Sequence, residues 1–208
     1  MTLKDDKKEF PDWDTYYKEN NVEEMPWYES NLDPDLKNEI NSKNLSKGKF
    51  LDLGTGPGTQ SIQLSDIGFE VTGSDLSETA IEKAKKLSKK VNFVTDDFLI
   101  SKLPENEFDF ILDRGCFHVF DIEQRQNYVA QIKKILVKNG ILFLKCMSIE
   151  EKGLPEDKGP HKISQSELKQ IFSKDFEIES IKDTVYHGTL NPLPKALFTV
   201  LKKKSKPN

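Results

Sequence analysis

The rhythm of apolar and polar positions changes near residue 50. From there, short apolar runs alternate with stretches whose apolar residues recur every three or four positions. Runs at 50–53, 70–73, 91–94, 108–112 and 141–146 predict strands. The stretches 59–66, 77–88 and 123–138 predict helices. Ser77 stands as a cap ahead of Ile81, Ala84 and Leu87. The third helix carries Tyr128, Val129, Ile132, Ile135 and Leu136 in one stripe and is expected to stop at Asn139-Gly140. Alternation of this kind implies repeated strand–helix units, hence an α/β fold with a mostly parallel sheet and helices on both faces.

The chain on either side reads differently. Residues 1–49 are rich in Asp, Glu, Lys and Asn, yet hold both tryptophans (Trp13, Trp27) and Tyr16, Tyr17 and Tyr28. Helical stretches are expected at 12–18 and 34–41, the second capped by Asp33 with Pro34 at its first position. Beyond Cys146 comes a Gly-, Pro- and charge-rich loop at 150–161. A helix follows at 164–172, with Ser164 and Glu167 as a capping box, and then extended runs at 176–184 and 196–201. Residues 202–206 read as a basic, solvated tail. The expected division is a helical lid segment at 1–45 and a ligand-binding domain at 46–208, within one structural domain.

Charge and composition narrow the classes. The 208 residues carry 31 Lys+Arg against 35 Asp+Glu, a formal charge of −4, which disfavours a dedicated duplex-binding protein. Thirteen phenylalanines argue against wholesale disorder. Two cysteines, Cys116 and Cys146, make neither a disulfide framework nor a four-thiolate zinc site, and no Cys/His cluster has metal-ligand spacing. Residues 1–10 lack an apolar leader-like run and the longest apolar stretch is 141–144, so a soluble cytoplasmic protein with no membrane or nucleic-acid partner is expected.

The richest chemistry lies where the first strand ends. Phe50-Leu-Asp-Leu-Gly-Thr-Gly-Pro-Gly58 runs a strand into a glycine turn and then a helix. Gly54, Gly56 and Gly58 let the main chain approach a ligand, and the helix start directs its amides toward it. A dinucleotide fingerprint begun at Gly54 needs Gly or Ala at 59, where Thr59 stands. Asp75 ends the second strand, 21 residues after Gly54, where a carboxylate accepts both hydroxyls of a ribose. Asp96 follows the third strand and is placed to accept an adenine amine, with Phe98 available to cover the ring. Together these residues describe an adenosine without a pyrophosphate, held in a cavity shared by Gly56, Asp75 and Asp96. Asp96 and Asp97 are adjacent and point apart if extended, so they are not a carboxylate dyad.

The series D-L-G-T-G-P-G, G-S-D-L-S and T-D-D-F resembles the class I S-adenosylmethionine-dependent methyltransferases over about residues 48–147. The resemblance implies S-adenosylmethionine as cofactor and a Rossmann-like seven-stranded sheet with an antiparallel last strand (196–201), paired with 176–184. It assigns Thr55, Leu76 and Asp97 to the cofactor along with the glycines, Asp75, Asp96 and Phe98. It also sets Asp52 near the methionine amino group, unless that carboxylate only braces the loop. Trp13-Asp-x-Tyr16 with Pro26-Trp27, and Asp113-Arg-Gly after strand four, are similar to the thiopurine, thiol/halide and tellurite-resistance methyltransferases.

Methyl transfer is an in-line displacement that rests largely on orientation and exclusion of water. Trp13 and Trp27 suit a mobile aromatic lid over a sulfonium, or else are core plugs. Asp113, on the carboxyl edge, is assigned to the cofactor's methionine end or to the acceptor, and Arg114 to an acidic acceptor. His118 is the candidate base, or a hydrogen-bonded structural histidine. His161 either braces its loop or meets substrate, and Cys116 reads as a packing thiol. The expected activity is methylation of a small-molecule nucleophile, with a thiol as the first candidate; an oxygen or nitrogen acceptor, on a small molecule or protein, and a non-catalytic cofactor binder are the alternatives. No N-P-P-aromatic motif follows strand four, which argues against a nucleic-acid acceptor.

Overall fold

Strand residues from Phe50 onward send alternate side chains to opposite sides of one sheet, and both sides are covered. The computed structural model describes residues 8–155 and 159–205. Its strands are β1 (Lys49–Leu53), β2 (Glu70–Asp75), β3 (Asn92–Thr95), β4 (Phe108–Arg114), β5 (Leu136–Met147), β6 (Phe176–Val185) and β7 (Lys195–Lys203), in the order β3-β2-β1-β4-β5-β7-β6. β1 to β5 pair in parallel, and β7 runs antiparallel to both β5 and β6. This is the expected seven-stranded, Rossmann-like α/β sheet.

Among the described residues six α-helices accompany it: α1 (Trp13–Glu19), α2 (Pro34–Ser42), α3 (Thr59–Asp66), α4 (Glu78–Leu87), α5 (Ile122–Ile135) and α6 (Gln165–Phe172). Leu51, Ile111, Leu142 and Leu144 pack with Tyr128 and Ile132 of α5 and Phe172 of α6. Phe50, Val71, Leu112 and Phe143 pack on the opposite face with Leu64 of α3 and Ile81 of α4. That second cluster also holds Leu36 and Ile40, so α2 is a core helix and the chain ahead of it is what remains to cover the site.

Local chemistry sets the helix boundaries. Asp12, Asp33, Ser77 and Ser164 each accept a backbone N–H at the start of α1, α2, α4 and α6. Gly58, at φ +84°, precedes α3; a Cβ there would lie 2.6 Å from the Phe93 ring, so only glycine lets the helix start against β3. Three expectations are corrected. α5 stops at Ile135 rather than Lys138, because Leu136 already pairs with Phe108 of β4. Asn139, at φ +62°, sits inside β5 near a break in register and is not a helix stop. Lys202 and Lys203 are likewise no solvated tail: they belong to β7, and the Lys203 ammonium donates to the carbonyls of Lys133 and Leu136. Lys206 and part of the 150–161 loop lie outside the described residues. Among the described residues no helix is long and apolar enough to cross a membrane.

The chain leaves β1 toward β2 and β3, then returns to place β4 on the other side of β1. A crevice opens at the carboxyl ends of the strands where such a reversal occurs.

Candidate active site

The carboxyl ends of β1 to β4 hold a cavity of about 570 Å³, within the range of small-molecule sites. Gly54, Asp75, Leu76, Asp96, Asp97 and Phe98 reach its wall, and Trp13 and Trp27 close it from the amino-terminal side. A smaller recess of about 40 Å³ adjoins it, lined by Asp52, Thr55, Gly56 and Arg114 among others. The expected common cavity therefore holds Asp75 and Asp96 but not Gly56, which faces the recess. Gly58 lines neither space; its work is the turn into α3.

The glycine turn is tied down from below. Thr55 N–H donates to the Ser74 carbonyl (2.9 Å), and Gly56 N–H donates to Asp75 Oδ2 (2.8 Å). Buried Asp52 accepts the hydroxyls of Thr55 (2.6 Å) and Ser61 (2.8 Å), and burial raises its pKa. Asp52 thus braces the loop from the floor of the recess. Asp75 Oδ1 also accepts Ser77 N–H (2.9 Å), and burial pushes this carboxyl up from 3.8 to about 6.

Asp96 carries an unpaired buried oxygen. Its Oδ1 accepts Lys102 N–H (3.0 Å), while its Oδ2 is buried with no hydrogen-bond donor. A carboxylate oxygen so placed wants a donor such as an exocyclic amine. Asp97 is exposed and caps a short turn through Leu99 N–H (3.0 Å). Phe98 is buried mostly against Tyr128 (ring centroids 5.5 Å), leaving part of its surface to the cavity.

Above the cavity stands an aromatic cover. Trp13 meets Trp27 edge to face (6.0 Å), and Tyr16 stacks on Trp27 (5.7 Å). Asp14, beside Trp13 in α1, fastens the cover to α4 by accepting Thr79 N–H (2.8 Å) and the Ser77 hydroxyl (3.0 Å). Tyr17 was not anticipated. It is buried in both spaces, and its hydroxyl lies 2.7 Å from where a Cβ on Gly56 would stand. Its signal was the Tyr16-Tyr17 pair, whose members lie about 100° apart around a helix, and docking of α1 decides which of the two is buried.

At the β4 end the assignments of Asp113 and Arg114 give way to the geometry, and of the two readings of His118 and of His161 the hydrogen-bonded, bracing one is seen. Asp113 is completely buried and turned into its own loop: it accepts N–H groups of Gly115 (3.0 Å), Cys116 (2.8 Å) and Phe117 (3.0 Å) and the Tyr128 hydroxyl (2.7 Å). It lines neither the cavity nor the recess. Burial lifts its pKa to about 6 despite those donors. Arg114 is engaged with Asp33 (2.9 Å) and the Trp27 carbonyl (2.9 Å) rather than free for an acidic acceptor.

His118 borders the cavity but accepts Met147 N–H at Nδ1 (3.0 Å). An accepting nitrogen carries no proton, so the neutral ring holds its proton on Nε2 and presents a donor. Burial, then nearby His161, Lys8 and Arg114, lower its pKa to about 3. It is a poor base and a serviceable donor. His161 braces its surroundings, pairing with Asp121 (3.1 Å) and giving its backbone N–H to the His118 carbonyl (2.8 Å).

Cys116 is half-buried beside Gly54; burial, then Asp113, raise its thiol well above the ordinary range, as suits a packing group. Among the described residues no group of three His, Cys, Asp or Glu could hold a metal ion.

A loop closed under an acidic strand end, an unpaired carboxylate oxygen one strand further on and an aromatic cover together fit an adenosyl group bearing a sulfonium. The comparisons agree. Residues 50–140 match the family described as "Methyltransferase domain". An uncharacterized methyltransferase of Schizosaccharomyces pombe is 38% identical over 104 residues, 47% of this chain and 70% of that one. The chain belongs to the S-adenosylmethionine-dependent methyltransferases, class I by its fold, and S-adenosylmethionine is its cofactor.

Within that class it resembles the thiol methyltransferase branch. A probable thiol methyltransferase 2 of Arabidopsis thaliana is 29% identical over 166 residues, 76% of this chain and 71% of that one. For the fold, a structure solved in work on conversion of a disulfide bond into a thioacetal group during echinomycin biosynthesis superposes with a TM-score of 0.81. It is 22% identical, covering 94% of this chain and 93% of that one.

Proposed function

We propose that this enzyme methylates a small-molecule thiol, with Asp75 and Asp96 holding the adenosyl group and Trp13 and Trp27 covering the reacting end. The observation that carries the reading is the pair of carboxylates on adjoining strand ends of one cavity, Asp96 with a buried oxygen lacking a donor, beneath two tryptophans. The bound cofactor supplies an activated methyl group on sulfur. Asp75 accepts ribose hydroxyls, and Asp96 Oδ2 accepts the adenine amine. The Gly54–Gly58 turn keeps side chains out of the way, Leu76, Asp97 and the exposed part of Phe98 border the nucleoside, and Thr55 lines the recess beside Asp52. Asp52 reaches the methionine end through the recess.

The acceptor half of the cavity favours sulfur. Phe10, Phe120, Met147 and Pro194 make its wall largely apolar, and His118 offers it an N–H rather than a lone pair. A thiol ionises near neutral pH by itself, whereas an unactivated hydroxyl needs a base. A donor at Nε2 steadies a thiolate on arrival, and closure of the cover excludes the water that would compete for it. The relationship to a thiol methyltransferase points the same way.

Turnover with S-adenosylmethionine, followed by mass spectrometry across aromatic and aliphatic thiols, catechols and amines, tests this. Thioether products are expected from the thiols, at rates at least tenfold above any other acceptor. Faster catechol or amine methylation would overturn the thiol assignment. Tight S-adenosylhomocysteine binding without turnover on any acceptor would overturn catalysis.

A further inference from the structure

Lys145 is a lysine in the middle of an apolar strand, completely buried, beside Arg114 in the β4–β5 register. Both cations meet Asp33, the cap of α2. Lys145 Nζ contacts both of its oxygens (2.9 and 2.7 Å), and Arg114 Nε contacts Oδ2 (2.9 Å). Asp35 adds a second carboxylate to Lys145 (2.7 Å), so two cations face two anions. Opposite charges hold Asp33 ionised, lowering its pKa although burial works the other way. Tyr186 roofs the cluster: its ring lies 5.3 Å from the Arg114 guanidinium, and its hydroxyl donates to the Lys145 carbonyl (3.0 Å).

A buried ionic cluster is a poor way to gain stability, since well-packed apolar residues commonly do as well. Its value lies in where it points. Arg114 Nη1 donates to the Trp27 carbonyl (2.9 Å) and Nη2 to the His187 carbonyl. One guanidinium therefore joins the aromatic cover, the start of α2 and the β6–β7 connection. The same two outer segments meet again where Thr189 N–H donates to the Pro26 carbonyl (3.2 Å).

We infer that Arg114 is a positioning residue: anchored by Asp33 and Lys145, it latches the Trp27 segment and the 186–190 connection together, holding the aromatic cover over the cavity. It touches no reacting atom in this role and acts through Trp27. The inference rests on the cover being part of the site, as proposed above.

The sequence supplies a selective probe, because its two tryptophans are both in the cover. Arg114→Lys keeps the charge opposite Asp33 but replaces three nitrogens of a planar fork, each on a different segment, with one nitrogen that cannot reach all three segments at once. At unchanged far-ultraviolet circular dichroism, acrylamide quenching of tryptophan is expected to rise at least twofold without ligand. The S-adenosylhomocysteine Kd by calorimetry is expected to rise at least tenfold. Wild-type quenching in Arg114→Lys would overturn the latch even if the ligand binds normally; absence of ligand binding by the wild-type protein would overturn the cofactor site and leave the quenching result standing. Should Arg114→Lys not fold, hydrogen exchange on the wild-type protein decides. Amides of 22–33 and 186–190 are expected to open with a common rate, and rates more than tenfold apart would overturn the latch.

Discussion

Replacing Asp75 with asparagine should separate ligand binding from folding. Burial raises this carboxyl from 3.8 to about 6, so at pH 7 it is ionised in both folded and unfolded chains. At 1.36 kcal/mol per pH unit, keeping that charge inside costs about 3 kcal/mol. Asparagine removes this cost but has only one oxygen. The carboxylate serves two amides, Gly56 and Ser77. One of them loses its acceptor, at about 1–3 kcal/mol. The two effects nearly cancel, and the Tm should stay within about 5 °C of wild type.

Binding has no such compensation. Two ribose hydroxyls that donate to a carboxylate meet an amide with one acceptor, at a loss of about 2–3 kcal/mol. That corresponds to about 30–150-fold in Kd. Calorimetry with S-adenosylhomocysteine at pH 7.5, beside differential scanning calorimetry, reads both quantities. Binding by Asp75→Asn within threefold of wild type would refute the ribose assignment. The pH dependence carries a further signature. Because the folded pKa is raised, the stability Asp75 contributes is fully present below pH 3.8 and lost as pH rises through about 6. Ligand affinity moves the other way, strengthening as pH rises from 5 to 7 and the carboxylate ionises. Asp75→Asn should lose that limb.

Asp113→Ala strands three backbone N–H groups and the Tyr128 hydroxyl, at about 1–3 kcal/mol each. Relief of the buried charge returns about 3 kcal/mol, so the Tm should fall by about 5 °C or more, with activity lost only as folding is. An Asp113→Ala protein that melts like wild type yet is inactive would restore Asp113 to the reacting groups. His118→Asn, which retains an acceptor for Met147 N–H, should leave the shape of the kcat/KM profile unchanged from pH 5.5 to 8. Disappearance of an acidic limb near 6.5 would return His118 to the role of base.

The sheet was legible because buried parallel strands must be apolar on both faces, and that pattern is local. α3 fell on its expected bounds since Gly58 both ends the turn and clears Phe93. α5 did not, because an apolar stripe continues helically or as a strand with equal ease, and pairing of Leu136 with Phe108 settled the matter. That Asp75 and Asp96 share one cavity was readable from their strand ends. Asp113 occupies an equivalent end, but spacing does not tell whether a carboxylate faces a ligand or caps the turn that follows it.

Arg114 was harder still. Its anionic partner, Asp33, lies 81 positions away, and nothing local distinguishes an acid that caps a helix from one that also holds two buried cations. Lys145 was the overlooked signal. A lysine within Ile141-Leu-Phe-Leu-Lys145-Cys, in a strand expected to be covered on both faces, requires a buried anion somewhere in the chain.

The contact between the Thr189 hydroxyl and the Met25 carbonyl, at 3.2 Å, spans 164 positions. Proteins are synthesised from the amino terminus, so the tryptophan-bearing segment emerges early and its abutment nearly last. Every strand end that lines the cavity from β1 to β4 is made while one side of the chamber still stands open. A fragment ending after β5 would carry all of those strand ends and still lack the 187–189 abutment on which Met25 and Pro26 rest.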